Sequence, residues 1–167
     1  MKKVAMISLF NKKPKLNNQA SEELSWMLFG DVENPIRNIQ FFEEKSMDYS
    51  PGSLEMLDEY LEGQRSNMPE GDELIKITLR SGSYVGEVIR RNAEEKYNWL
   101  EFSEAVKVSE HIEGIGFGLA TVSVLWLEPD NFVFPMAKVL KRLENGADDS
   151  VSSLAKIVIS GGLSDST

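Results

Sequence analysis

The sequence predicts an α+β domain: a small antiparallel sheet of about three strands flanked by about four helices. Three observations carry this reading. Helical periods bounded by cap chemistry recur in residues 53–63, 72–91, 135–144 and 150–160. Short strand-like runs cluster between residues 97 and 134. The two kinds of segment run in blocks and do not alternate, which argues against a doubly wound parallel sheet.

The first predicted helix follows Ser50-Pro51-Gly52-Ser53, with two candidate N-caps and a proline suited to the first turn. Leu54, Leu57 and Leu61 recur at helical spacing beside Tyr60, and Gly63 is the expected stop. The second, from about Asp72 to Arg91, begins with an alternation that alone reads as a strand. A longer window shows a polar stripe of Lys76, Arg80, Ser83, Glu87 and Arg90 at steps of four and three, so a helix with that stripe outward is expected. Tyr97 to Phe102 reads as a strand, and residues 103–116 fit a short helix or a strand. Phe117 to Leu127 is apolar on both faces, as in a strand covered on both sides. Glu128-Pro129-Asp130-Asn131 is turn chemistry, so Phe132-Val133-Phe134 should return antiparallel. Pro135 opens a third helix burying Met136, Val139, Leu140 and Leu143, with Lys138, Lys141 and Arg142 outward and Asn145-Gly146 as its stop. Asp148 or Ser150 caps the fourth, whose Val151, Leu154, Ala155 and Val158 point inward. Trp99, Trp126, Phe132 and Phe134 are the expected aromatic core.

Domain organisation follows the density of this patterning. Residues 1–47 read as an N-terminal appendage with a basic start and a short amphipathic patch from Ser21 to Phe29. Residues 48–160 form the patterned core, and residues 161–167 a flexible tail. The opening Met1-Lys2-Lys3 and its apolar run resemble a signal peptide briefly, but Asn11-Lys12-Lys13-Pro14 ends the run early, so it is read as part of the mature chain. No apolar stretch approaches the length of a membrane span.

Composition narrows the chemistry. With 167 residues, 41% of them apolar, the chain can cover a core. It has no cysteine, which excludes disulfides, thiolate metal sites and thiol nucleophiles and favours a reducing compartment; a cytoplasmic location is expected. His111, flanked by Glu110 and Glu113, is the one histidine, so no multi-histidine metal site can form within a chain; no metal and no cofactor is expected. Gly114-Ile115-Gly116-Phe117-Gly118 fails as a phosphate loop, because Leu119 replaces the third glycine and the run precedes a strand.

Net charge is −9, and the first 15 residues hold five lysines and no acid, so the remainder is more acidic still. Ten acids lie between Glu43 and Glu73 against Lys45 and Arg65. Such a surface repels nucleic acid and anionic lipid, so neither nucleic-acid binding nor stable membrane anchoring is expected; it steers basic partners inward. The expected function is non-enzymatic protein binding, in an immunity- or antitoxin-like role, with Glu55, Asp58, Glu59 and Glu62 contacting a basic protein.

The most distinctive stretch is Gly82-Ser83-Tyr84-Val85-Gly86-Glu87-Val88-Ile89-Arg90-Arg91. Its two glycines share one helix face and cost roughly 1 kcal/mol each relative to alanine, so that face should be a close-packing surface or a pocket floor. Gly82, Tyr84, Gly86, Glu87, Arg90 and Trp99 are therefore a second candidate site. The alternative function rests here: a small enzyme with a carboxylate site at Glu87, although no catalytic partner is visible. Homo-oligomer formation through the glycine face is a third reading. The Gly82–Arg91 run followed by Trp99 resembles small uncharacterised bacterial domains with a glycine-x-tyrosine-x-glycine-glutamate helix, loosely over residues 48–160. That resemblance implies no activity and transfers no catalytic residue.

Overall fold

The computed structural model describes residues 13–161; the basic start before Lys13 and the tail beyond Gly161 lie outside the described residues. Seven α-helices are found among the described residues: α1 (Asn18–Gly30), α2 (Ser53–Arg65), α3 (Gly71–Asn92), α4 (Phe102–Val108), α5 (Glu110–Ile115), α6 (Pro135–Asn145) and α7 (Val151–Ile159). Strands β1 (Asn98–Glu101), β2 (Ser123–Leu127) and β3 (Asn131–Val133) form an antiparallel sheet in the order β1-β2-β3. The α+β class and the small antiparallel sheet are as the sequence predicts.

Strand alternation gives the sheet two buried faces. The register pairs Trp99 with Leu125 and Leu125 with Val133, and these three join the main cluster. Leu100, Val124 and Trp126 face the other way, into a second cluster with Ala105 of α4 and Ile112 of α5. Thus the ambiguous 103–116 stretch is two short helices, and they cover the far side of the sheet. Phe132 and Phe134 are half-buried against this second cluster.

Helix α3 is the axis of the main layer, packed against α1, α6 and α7. From Ile77 to Ile89 every residue but Leu79 is buried. The expected outward stripe is therefore corrected: Arg80, Ser83 and Glu87 face protein, not water. Arg80 is tolerated there because its guanidinium donates to Met27 O at 3.3 Å and Asn34 O at 2.9 Å and pairs with Asp31 at 3.2 Å. It thereby satisfies a carbonyl in the last turn of α1.

Other departures have local causes. Helix α2 runs past Gly63 to Arg65, whose Nε donates to Leu143 O at 3.1 Å. Residues 117–122 are a loop and not a strand, because Thr121 Oγ1 accepts from Gly118 N at 3.0 Å and donates to Gly116 O at 2.8 Å. Arg142, expected outward, is buried against α2. Of residues 1–47, expected as an appendage, the described part from Lys13 contributes Leu28, Ile36, Phe42 and Met47 to the main cluster. No helix among the described residues is long and apolar enough to cross a membrane.

Candidate functional site

The predicted acidic contacts of α2 are largely engaged within the molecule. Asp58 Oδ1 accepts from Arg142 Nε at 3.1 Å and Val151 N at 3.0 Å; Oδ2 accepts from Ser150 Oγ at 2.7 Å and Ser152 N at 3.1 Å. It fastens the start of α7 and neutralises a buried arginine. Glu62 pairs with Arg142 at 2.5 Å and Arg65 at 3.0 Å, and those hydrogen bonds hold its carboxyl below the ordinary glutamate value, Arg142 contributing most. Glu55 pairs with Lys156 at 3.3 Å, and Glu59 is exposed.

The glycine face of α3 is close-packed. A Cβ on Gly82 would stand 2.9 Å from Met136 Cγ and 3.0 Å from Met136 Cα, and one on Gly86 would overlap the six-membered ring of Trp99. Glu87 is fully buried. Trp99 Nε1 donates to its Oε1 at 3.0 Å, Arg90 Nε donates to the same oxygen at 2.8 Å, and Arg91 Nε donates to Oε2 at 3.0 Å. Tyr84 anchors a hydrogen-bond chain. Tyr49 N donates to its hydroxyl at 3.0 Å, which contacts Ser53 Oγ at 2.7 Å, and that oxygen donates to Ser50 O at 2.7 Å. Burial pushes the Tyr84 phenol upward, so it keeps its proton.

This packing builds a groove that the sequence did not announce. It is about 830 Å³, lies between α1, the turn before α2 and the end of α3, and is lined by Glu22, Glu23, Trp26, Asp31, Tyr49 and Arg91 among others. Tyr49 has φ +61°, a left-handed conformation costly for a bulky residue. Four contacts hold it there. Its N–H donates to Tyr84, its carbonyl accepts from Asn92 Nδ2 at 2.8 Å, its hydroxyl meets Ser25 Oγ at 3.0 Å, and its ring stacks on Tyr84 at 4.8 Å. On its ring lies the Arg91 guanidinium, 3.7 Å from the centroid, and Arg91 pairs with Glu22 at 3.4 Å. Trp26 is 53% exposed, and its indole lies along α1 over Gly30, where a Cβ would overlap it.

Trp26, half-exposed beside Glu22 and Glu23, suits a cation, whereas the Tyr49 ring is already taken by Tyr84 and Arg91. No group of three or more histidine, cysteine, aspartate or glutamate side chains able to hold a metal occurs among the described residues. The signals in the sequence were partial: Trp26 with Gly30 one turn later, and Arg91 four residues after Glu87. Comparison with known proteins adds no relative: no family model, no curated protein and no solved structure matches the chain.

Proposed function

We propose that the protein is a non-enzymatic binding domain that captures a basic segment of a partner protein in the groove between Trp26 and Tyr49. The supporting observation is Arg91, whose guanidinium already sits on an aromatic face and pairs with a carboxylate there. It is an internal example of the contact a partner's arginine or lysine would make. The second aromatic, Trp26, stands half-exposed beside Glu23, whose one side-chain polar contact among the described residues is a 3.4 Å hydrogen bond from Gln19. Exposed ion pairs such as Glu22–Arg91 are worth about 0–1 kcal/mol, so an incoming cation can exchange into them. Net charge of −9 steers a basic partner toward the domain. This moves the proposed contact from α2 to α1, because Asp58 and Glu62 are committed to Arg142. An immunity- or antitoxin-like role in the cytoplasm fits the reading, as does the absence of cysteine.

Carboxylate catalysis at Glu87 is the weaker reading, since that carboxylate is sealed from solvent and fully paired. The test is a fluorescence titration with acetylated peptides of alternating arginine and leucine or of alternating glutamate and leucine. The arginine peptide should perturb Trp26 emission, and Glu23→Lys should weaken binding about tenfold. Equal binding of both peptides, or an unchanged affinity in Trp26→Ala, overturns the proposal.

A further inference from the structure

We propose that the cleft on the opposite side of α1, beneath Phe117, binds a small primary amine with a compact apolar body. The cleft is about 290 Å³ and shares no lining residue with the Trp26 groove, so the two proposals stand or fall separately. Its volume lies at the lower end of the range for small-molecule sites. Leu24, Leu79, Phe102, Val122 and Met136 supply apolar walls from four different elements and the loop before β2.

Three features point to an occupant. Ser21 lines the cleft, is 1% exposed, and its Oγ has no hydrogen-bond partner among the described residues. A buried hydroxyl without a partner is costly, and a polar ligand group would supply one. Glu101 stands at the rim, exposed, and forms no ion pair among the described residues, unlike its neighbour Glu104, which holds Lys107. Phe117 is 71% exposed, packs edge-on against Phe102 at 5.4 Å, and sits between Gly116 and Gly118 on the loop that follows α5; a Cβ added to either glycine would meet nothing within 4 Å among the described residues beyond its chain neighbours. The ring can settle over an apolar body without displacing packed neighbours, and its burial would add to affinity. Glu101 selects the charge: it attracts an ammonium and repels a carboxylate.

The test compares 2-phenylethylamine, 2-phenylethanol and phenylacetate, which share a body and differ in charge, by amide chemical-shift titration. The amine should bind about threefold to fivefold tighter than the alcohol, with shifts centred on Ser21, Phe102 and Phe117, and phenylacetate should not bind. Glu101→Gln, an exposed change that leaves the fold intact, should bring the amine down to the alcohol's affinity. Leu24→Trp should block both. The proposal is overturned if no probe binds, if amine shifts scatter over the acidic surface, or if Glu101→Gln leaves the amine's advantage in place.

Discussion

The indole of Trp99 reaches Glu87 across a helix face that Gly86 leaves bare: Nε1 donates to Oε1 at 3.0 Å, and the ring occupies the space a Cβ on residue 86 would fill. The glycine, the tryptophan and the buried carboxylate are one unit. The glycine admits the ring, the ring's N–H reaches the carboxylate, and Arg90 and Arg91 balance the charge.

Gly86→Ala should therefore destabilise by about 2–3 kcal/mol, because the fully buried Trp99 cannot retreat. That outweighs the gain of about 1 kcal/mol from helix propensity. A fall in Tm of roughly 5–10 °C is expected. Gly63→Ala is the control. Its added Cβ meets nothing within 4 Å in the body of α2, and it should raise stability by about 0.5–1 kcal/mol. Thermal melts of both variants check the pair of signs.

Asp58→Ala should cost about 2–3 kcal/mol, since it takes one of two carboxylates from Arg142 at 4% exposure, leaving Glu62, and removes the acceptor of Val151 N and Ser152 N at the start of α7. Charge reversal at Asp58 would thus disturb the packing of α2 on α6 and α7 as well as any partner contact. Glu59→Lys, on the exposed side of the same helix, should leave Tm within about 1 °C of wild type. Urea titrations of the two variants give the comparison.

The sequence made most of the architecture legible where boundaries are set locally. Ser150 accepts from Ser153 N, Gly146 takes φ +82° after α6, and Pro135 starts that helix. It was silent where a long-range partner reverses the meaning of a residue. Arg80 and Arg142 are polar and read as outward, and Glu87 reads both as part of the outward stripe and, with Trp99, as part of a second candidate site. Each is buried because Asp31, Trp99 or Asp58, at least 12 residues away, satisfies it. The 117–122 loop was misread because apolar content there lines a cleft. The Tyr49–Arg91 contact joins residues 42 apart in sequence through a tyrosine at positive φ, for which no local pattern exists.

Trp26→Ala should separate binding from folding. The side chain is half-exposed and rests on its own helix over Gly30, so its loss should cost about 1 kcal/mol or less. Trp99 and Trp126 are at most 6% exposed, so acrylamide quenching of the native protein should be dominated by Trp26 and should fall sharply in the variant. Quenching that survives the substitution would place the accessible indole elsewhere.

Acid should loosen the α2–α6 clip in a defined window. The Glu62 carboxyl is held below its ordinary value of 4.5, chiefly by the Arg142 hydrogen bond. A depressed folded-state value means the unfolded chain takes up the proton first as pH falls. The contribution of Glu62 is then complete above about pH 4.5 and disappears as pH drops through the lower folded value. Glu62→Gln should therefore melt below wild type at pH 6, and the gap should narrow as pH falls below 4.5. Melts at half-unit intervals trace this directly. A gap that stays constant to pH 3 would mean that the Glu62 charge contributes nothing and that only its packing matters.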